Sequence, residues 1–336
     1  MEQLSAGKKL DKAFEKLGEN KTLSFEIDLD TDPASLKALD GKSKPGEQMP
    51  DEAAEMLSGA KIKVTVESKK PIAESGEKDL VGTALKISGP DSDVVEYRVI
   101  GDYTYLRTDR DALTKLTGSP VPTAEDLPPQ AGALKDVLAG KWVKFSTKEM
   151  GEAAADGRGA GKRPAPGPSL DSTTQKKLVK ALRGVIVREV RFRTAGGGDG
   201  TEHIIATAPF RTLLTELLGE VRPLAKDLPP GMELPTGKDL KEVPDTKMKA
   251  DFTLKNGELS RVDLDLAKLA DNPKVKRLGL TLRMGHGTKP TVPAGATKLD
   301  LKDLAQGFFF GDPAMSDAEL GKSDLSGLDQ VPQDES

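Results

Sequence analysis

The sequence predicts an α+β protein: an antiparallel sheet with one wet and one dry face, and helices covering the dry face. Three observations carry that expectation. Segment after segment alternates apolar and polar residues with period two, the pattern of a half-buried antiparallel strand. Continuous apolar strands, which parallel sheets require, are missing, so doubly wound and TIM-type folds are excluded. Amphipathic helical stretches stand between the strands, and a dry sheet face needs such a cover.

The first helix is expected over Leu4–Leu17, with Leu10, Ala13, Phe14 and Leu17 at i, i+3, i+4, i+7. A strand follows over Thr22–Asp30, where Leu23, Phe25, Ile27 and Leu29 alternate with polar residues. Residues 32–58 form a Pro-, Gly- and Lys-rich insertion with short helices around Ala34–Leu39 and Glu52–Leu57. Lys61–Ser68 sets Ile62, Val64 and Val66 on one side, and Leu80–Ser88 does the same with Val81, Thr83, Leu85 and Ile87. Val94–Ile100, carrying Val95, Tyr97 and Val99, is joined to Tyr103–Arg107 by Gly101-Asp102, a two-residue hairpin signal. A helix-rich, Pro-punctuated insertion over 109–139 precedes the strand Lys141–Ser146, with Trp142 and Phe145.

Gly, Ala and Pro dominate Gly151–Ser169, which reads as a flexible surface loop near the middle of the chain. The second half repeats the order: helix Leu170–Leu182, strand Val185–Thr194, turn Gly196–Gly200, strand His203–Thr207. A helix over Phe210–Leu218 places Phe210, Leu213, Leu214, Leu217 and Leu218 on one stripe, the candidate lid over the dry face. After a further insertion, 222–244, Lys247–Lys255 and Glu258–Leu266 meet at Asn256-Gly257, the strongest short hairpin signal. The strand Val275–Met284 and a helix over Leu299–Ala305 complete the expected folded part. Residues 1–310 are expected to form one domain and residues 311–336 a disordered acidic tail.

Composition narrows the function. The 336 residues carry 50 Lys and Arg against 54 Asp and Glu, a net charge of −4. From Asp312 onward, seven acids stand against Lys322, so that tail holds −6 and the body +2. Nucleic-acid binding calls for a clustered basic face and stacking aromatics; one Trp and three Tyr supply neither. Cysteine is absent, which excludes thiolate nucleophiles, disulfides and Cys-ligated metals. His203 and His286 are the only histidines and lie far apart in sequence; His203 reads as a strand residue and His286, between two glycines, as a loop residue. Gly196-Gly197-Gly198-Asp199-Gly200 lies between strands and reads as a hairpin turn. At Gly157–Arg163, Lys162 precedes Arg163 where a P-loop needs Ser or Thr. Asn20-Lys21-Thr22 matches a glycosylation sequon at chance frequency. The nucleophile elbow and the zinc-protease motif are both missing. The expectation is a protein that is not an enzyme, has no cofactor and no metal, and is a monomer. No apolar run of membrane-spanning length occurs, and Met1–Ser5 lacks the apolar core of a signal peptide.

Leu10–Leu17 running into Thr22–Ile27 is similar to the opening helix and first strand of the LppX/LprG group of actinobacterial envelope lipoproteins, which have a LolA-like fold. Val99–Arg107 followed by Gly140–Lys144 resembles a hairpin of that group with its downstream Lys-Trp-Val strand. Leu254–Val262 is similar to its late hairpin, and Pro293–Ala296 before Leu299-Asp300-Leu301 to its ending. The likeness covers roughly residues 4–306, and the four insertions make this chain longer than typical members.

The resemblance implies a curved antiparallel half-barrel whose concave, apolar face is lidded by helices and holds an acyl chain, a lipid or the acyl part of a glycolipid. It implies an extracytoplasmic lipoprotein on the outer face of the cytoplasmic membrane, anchored through a lipidated Cys absent from this sequence. Candidate cavity residues are Val64, Val66, Leu85, Ile87, Val95, Tyr97 and Val99 in the first half. Phe252, Leu254, Val262, Leu264, Leu280 and Leu282 are those of the second. Carrying a 16-carbon chain in water requires roughly 12 kcal/mol of replacement apolar contact, at about 0.8 kcal/mol per CH₂. An alternative on the same fold is a regulatory or scaffolding lipoprotein that binds an envelope protein partner.

Overall fold

The computed structural model describes residues 2–41, 43, 48–127, 131–149, 184–223, 234–270 and 272–299. In chain order the elements are α1 (Glu2–Gly18), β1 (Thr22–Thr31), α2 (Pro33–Leu39), α3 (Asp51–Ser58), β2 (Lys61–Ser68), β3 (Leu80–Ser88), β4 (Asp93–Ile100) and β5 (Tyr103–Thr108). Then come α4 (Arg110–Thr117), α5 (Ala133–Leu138), β6 (Val143–Ser146), β7 (Arg191–Thr194), β8 (Thr201–Pro209), α6 (Phe210–Val221) and α7 (Gly237–Glu242). The last are β9 (Lys247–Lys255), β10 (Glu258–Asp265), β11 (Leu278–His286) and β12 (Thr297–Lys298).

Among the described residues twelve strands belong to one curved, unclosed sheet in the order β12-β6-β5-β4-β3-β2-β1-β11-β10-β9-β8-β7. Every pairing is antiparallel except the short parallel edge β12–β6. Strand β1 sits in the middle, paired on one side with β2 and on the other with β11, so it joins the two halves of the chain. Sequence-local hairpins build the rest. At the β9–β10 turn Asn256 (φ 53°) and Gly257 (φ 76°) both adopt the left-handed conformation that a two-residue hairpin of matching twist demands.

Period-two alternation separates the faces. Most apolar side chains of the long strands fall on one face, and charged residues such as Glu26, Lys63, Glu96, Arg107, Asp263 and Arg283 on the other, where Ile205 and Tyr105 are also buried. Cross-strand ion pairs span that polar face, for example Arg107 with Glu96 at 3.2 Å and Lys86 with Asp93 at 2.7 Å.

Helices cover the apolar face in patches. Helix α1 buries Ala6, Leu10, Ala13 and Leu17, and the first three pack with Ile204, Leu254, Leu259 and Val262 on strands β8–β10. Phe14, expected on that stripe, is 48% exposed: at 3.6 residues per turn it lies about 70° from the stripe's centre. Met56 of α3 and Ala112 of α4 pack with Val94 against Ile87 and Val95. Ala133 and Val137 of α5 lie on Val143, Phe145 and Leu299. Helix α6 sets Leu213 against Ala206 and Ala208. Asp109 caps α4 by accepting the Ala112 amide at 2.8 Å, and Gly118 ends it in the left-handed conformation.

Four expectations are corrected. Residues 184–189 are helical and only Arg191–Thr194 is strand. The run Val185-Ile186-Val187 has no polar alternation to give it a wet face, and a helical turn buries Val185 while leaving Val187 68% exposed. The Val190 amide then donates to the Ile186 carbonyl at 3.0 Å. His286 closes β11 opposite Leu23 instead of lying in a loop, because β1 extends far enough to pair with it. The last strand accordingly begins at Leu278, not Val275. Leu299 is buried beside β6 and is not helical, and the parallel strand β12 preceding it had no local signal. The loop Gly151–Ser169, the helix Leu170–Leu182, the rest of the helix expected over Leu299–Ala305 and the acidic tail lie outside the described residues.

Candidate functional site

The strand register aligns the apolar face into ladders across the sheet. One runs Val143, Leu106, Tyr97, Leu85, Val64, Phe25, Met284 from β6 to β11. A second runs Val95, Ile87, Ile62, Ile27, Leu282, Val262, Phe252, Ile204 from β4 to β8. All thirteen candidate cavity residues lie on this one face, but they do not share one environment.

Six of them are packed in helix-covered clusters. Leu254 and Val262 are buried under α1, with Phe252 and Leu282 against the same cluster, and Ile87 and Val95 lie against α3 and α4. Val64, Val66, Leu85, Tyr97, Val99, Leu264 and Leu280 are half-buried and belong to no apolar cluster among the described residues. Most of this second group lies on β2, β3, β4 and β11. Between β2 and β11, β1 contributes Phe25, Ile27 and Leu29, also half-buried, and Ile62 beside them is 37% exposed.

The centre of the apolar face, about five strands wide or roughly 19 Å at 4.8 Å per strand, is thus a trough of half-buried apolar side chains that no described helix packs into a cluster. Phe25, Ile27, Leu29 and Ile62 were absent from the expected set. Their alternation was visible in the sequence; their place in the middle of the sheet was not.

The lid residues are elsewhere. Phe210, Leu213, Leu214 and Leu217 are half-buried on α6 and Leu218 is buried, but this helix serves the β8–β9 end of the face, several strands from the trough.

Two clefts of about 360 and 320 Å³ open on the opposite, polar face, the first between β9, β10, β11 and the end of β1. Of the expected cavity residues only Leu264 and Leu280 touch the first, and none touches the second. The first is lined by charge: Asp30, Lys249, Asp251, Asp263, Lys276 and Arg277. His203 Nδ1 is 2.9 Å from Asp251 Oδ1. Burial pushes the Asp263 carboxyl up, but hydrogen bonds from Arg261 (2.6–2.9 Å) and the Thr281 hydroxyl (2.6 Å) outweigh it and hold the carboxyl below its ordinary range. Asp263 and Asp251 of this cleft are thus both engaged by protein partners. Among the described residues no three His, Asp or Glu side chains are grouped to hold a metal ion. No described helix is long and apolar enough to cross a membrane.

No family model and no curated protein matches the chain. Among solved structures it is similar to the Mycobacterium tuberculosis lipoprotein LppX, at 11% identity and a TM-score of 0.33, over 86% of this chain and 98% of that one. It is likewise similar to LprF from Mycobacterium bovis, at 9% identity and a TM-score of 0.34, over 87% of this chain and 98% of that one. The first bears the name of the group that the sequence resembles. Likenesses at this level carry nothing about ligand or activity, which have to be argued from the trough itself.

Proposed function

We propose that the protein is a non-enzymatic binder of a lipid or acyl chain, held in the trough over β4, β3, β2, β1 and β11. One observation carries this reading: Phe25, Ile27, Ile62, Val64, Leu85 and Tyr97 form a continuous apolar surface that no described helix packs into a cluster. A contiguous apolar patch of this extent on a water-facing protein marks an interaction site. The apolar clusters to either side hold the sheet together without these residues, so their apolar character serves something other than the core.

The magnitudes agree with reversible carriage. A 16-carbon chain with one side against the trough retains about half of its ~12 kcal/mol of transfer energy, roughly 6 kcal/mol, corresponding to a Kd of tens of micromolar. Such an affinity allows loading and release without chemistry. The trough reads chain bulk through Leu, Ile, Val and aromatic surfaces, with the Tyr97 hydroxyl and Thr83 as polar groups on the same face, so the acyl part of a glycolipid fits as well as a free fatty acid. Transport of that lipid across a cell envelope, from a site on the outer face of the cytoplasmic membrane, is the role we infer for it.

Titration of delipidated protein with cis-parinaric acid tests the binding, with native mass spectrometry for stoichiometry. The expected result is one saturable equivalent, displaced by palmitic acid and lost in Val64→Asp. Folded protein that takes up no fatty acid, or uptake unaffected by Val64→Asp, overturns the reading.

A further inference from the structure

On the polar face, strand register lines up Arg98 of β4, Tyr105 of β5, Lys144 of β6 and Lys298 of β12 in one cross-strand row. Beside that row stands Trp142, with the Arg98 and Arg107 guanidinium groups 4.8 and 5.3 Å from its ring centre. Tyr103 is exposed next to it, its ring centre 5.5 Å from Lys144 Nζ and 6.4 Å from that of Tyr105. The only Trp and two of the three Tyr of a chain with 4% aromatics thus meet in one place, on the charged side of the sheet. The connection from β11 to β12 crosses this side. Pro290 lies beside Gly82, Arg98 Nη1 donates to the Thr291 carbonyl at 2.7 Å, and the Thr297 amide donates to the Trp142 carbonyl at 3.0 Å. Pro290 and Pro293 are buried along it, while Val292 between them is turned outward, 58% exposed.

Charge in this patch is unbalanced. The Glu96 carboxylate serves both Arg107, at 3.2 Å, and Arg98, at 3.7 Å; Asp93 serves Arg107 and Lys86. Lys141 has Asp136 at 2.9 Å. Lys144 and Lys298 stand directly opposite each other and make no ion pair among the described residues, although like charges so placed repel. Even with Asp102 of the β4–β5 turn counted, the cations are in excess.

We propose that this patch docks the protein on an anionic bilayer, with Lys144 and Lys298 on lipid phosphates, the Trp142 and Tyr103 rings at headgroup depth and Val292 entering beside them. Amphipathic rings next to Lys and Arg are the composition that the headgroup layer of an anionic membrane selects. The unmatched charge at Lys144 and Lys298 finds its counter-ions there. A sugar platform would instead need a bare ring face, and the Trp142 ring carries two guanidinium groups. The docking does not depend on the trough, which lies on the opposite face of the sheet and stays clear of the bilayer.

The test is co-sedimentation of the full chain with phosphatidylcholine vesicles containing about 30 mol% phosphatidylglycerol, and with vesicles of phosphatidylcholine alone. Binding is expected to the anionic vesicles only, with release at about 0.5 M NaCl, where the Debye length falls to roughly 4 Å. Trp142, the chain's only tryptophan, is expected to be shielded from acrylamide quenching in the bound state. Each cation near an anionic surface multiplies partitioning about fivefold, so the double variant Lys144→Gln, Lys298→Gln is expected to bind about 25-fold more weakly. Equal binding to both vesicles, binding to neither, or binding undiminished in the double variant overturns the docking. Shielding of Trp142 by dextran without vesicle binding assigns the patch to a sugar and overturns it too. Uptake of cis-parinaric acid by the same proteins reads the trough separately: its absence overturns the ligand reading alone and leaves the docking standing.

Discussion

Truncating one leucine under α1 and one in the trough separates packing from binding. Leu254 is 2% exposed and enclosed by Ala6, Leu10, Ala13 and Leu259. Leu254→Ala leaves a cavity that α1, pinned by three other contacts, does not fill, so the cost is that of a buried leucine truncation, roughly 3–4 kcal/mol. Leu85 is half-buried between Val64 and Tyr97 and sits in no cluster. Its full burial contributes about 1.5–3 kcal/mol, of which folding has realised roughly half. Leu85→Ala therefore costs about 1 kcal/mol of stability, and a ligand that covers the remaining surface loses a similar ~1 kcal/mol, about a fivefold rise in Kd.

Urea denaturation and a cis-parinaric acid titration on the same two variants read both quantities. Leu254→Ala is expected to shift the urea midpoint strongly and leave the Kd of the folded fraction unchanged; Leu85→Ala is expected to shift the midpoint only slightly and raise the Kd about fivefold. Equal destabilisation by both, with no change in Kd for Leu85→Ala, refutes the division of the apolar face into core and trough.

Acid is expected to weaken the fold through its turn and cap carboxylates. Backbone amides of Ser35, Gly76, Thr123 and Thr236 hold Asp32, Asp79, Asp126 and Asp239 below the ordinary aspartate range. A depressed folded pKa contributes stability that is complete above the unfolded value of about 3.9 and is lost as pH falls through the folded value. These groups thus contribute equally from pH 5 to 7 and less below pH 4, and a quadruple Asn variant with an unaltered acid limb would sink the assignment. Gly257→Ala keeps the β9–β10 turn but places a Cβ at φ 76°, with only Lys16 Nζ near it at 3.5 Å. The cost is conformational, about 1–2 kcal/mol by urea denaturation, and a neutral result contradicts the turn geometry. Asp109→Ala removes the cap of α4 and is expected to cost about 1 kcal/mol; Asp109→Asn, which still accepts the Ala112 amide, restores most of it.

The strands were legible because period two survives in almost every one, and the β9–β10 hairpin because Asn256-Gly257 allows little else. Val185–Val190 misled because an apolar run without alternation takes whichever conformation its neighbours bury best, and here Arg188 reaches Glu216 and Glu220 of α6 at 3.2 and 3.5 Å from a helical turn. Sheet order was the larger gap. Hairpins announce themselves through their turns, but β1 reaches β11 across more than 250 residues, with Glu26 opposite Arg283, and nothing local encodes that pairing.

The gap in order explains the gap in the site. Alternation sorts residues by face and says nothing of position along the sheet, so it does not separate Leu254 from Leu85 and does not single out Phe25 and Ile27. Position decides the matter, because the covers stand apart on the sheet: α1 and α6 over β8–β10, α5 at the β5–β6 edge, and α3 with α4 at the Ile87–Val95 end of β3 and β4. Once β1 joins the two halves, the strands around it are the ones those helices leave open. The trough is then a consequence of topology: it lies where β1 and β11 bring the two halves of the sheet together, between the patches of helix that each half brings with it.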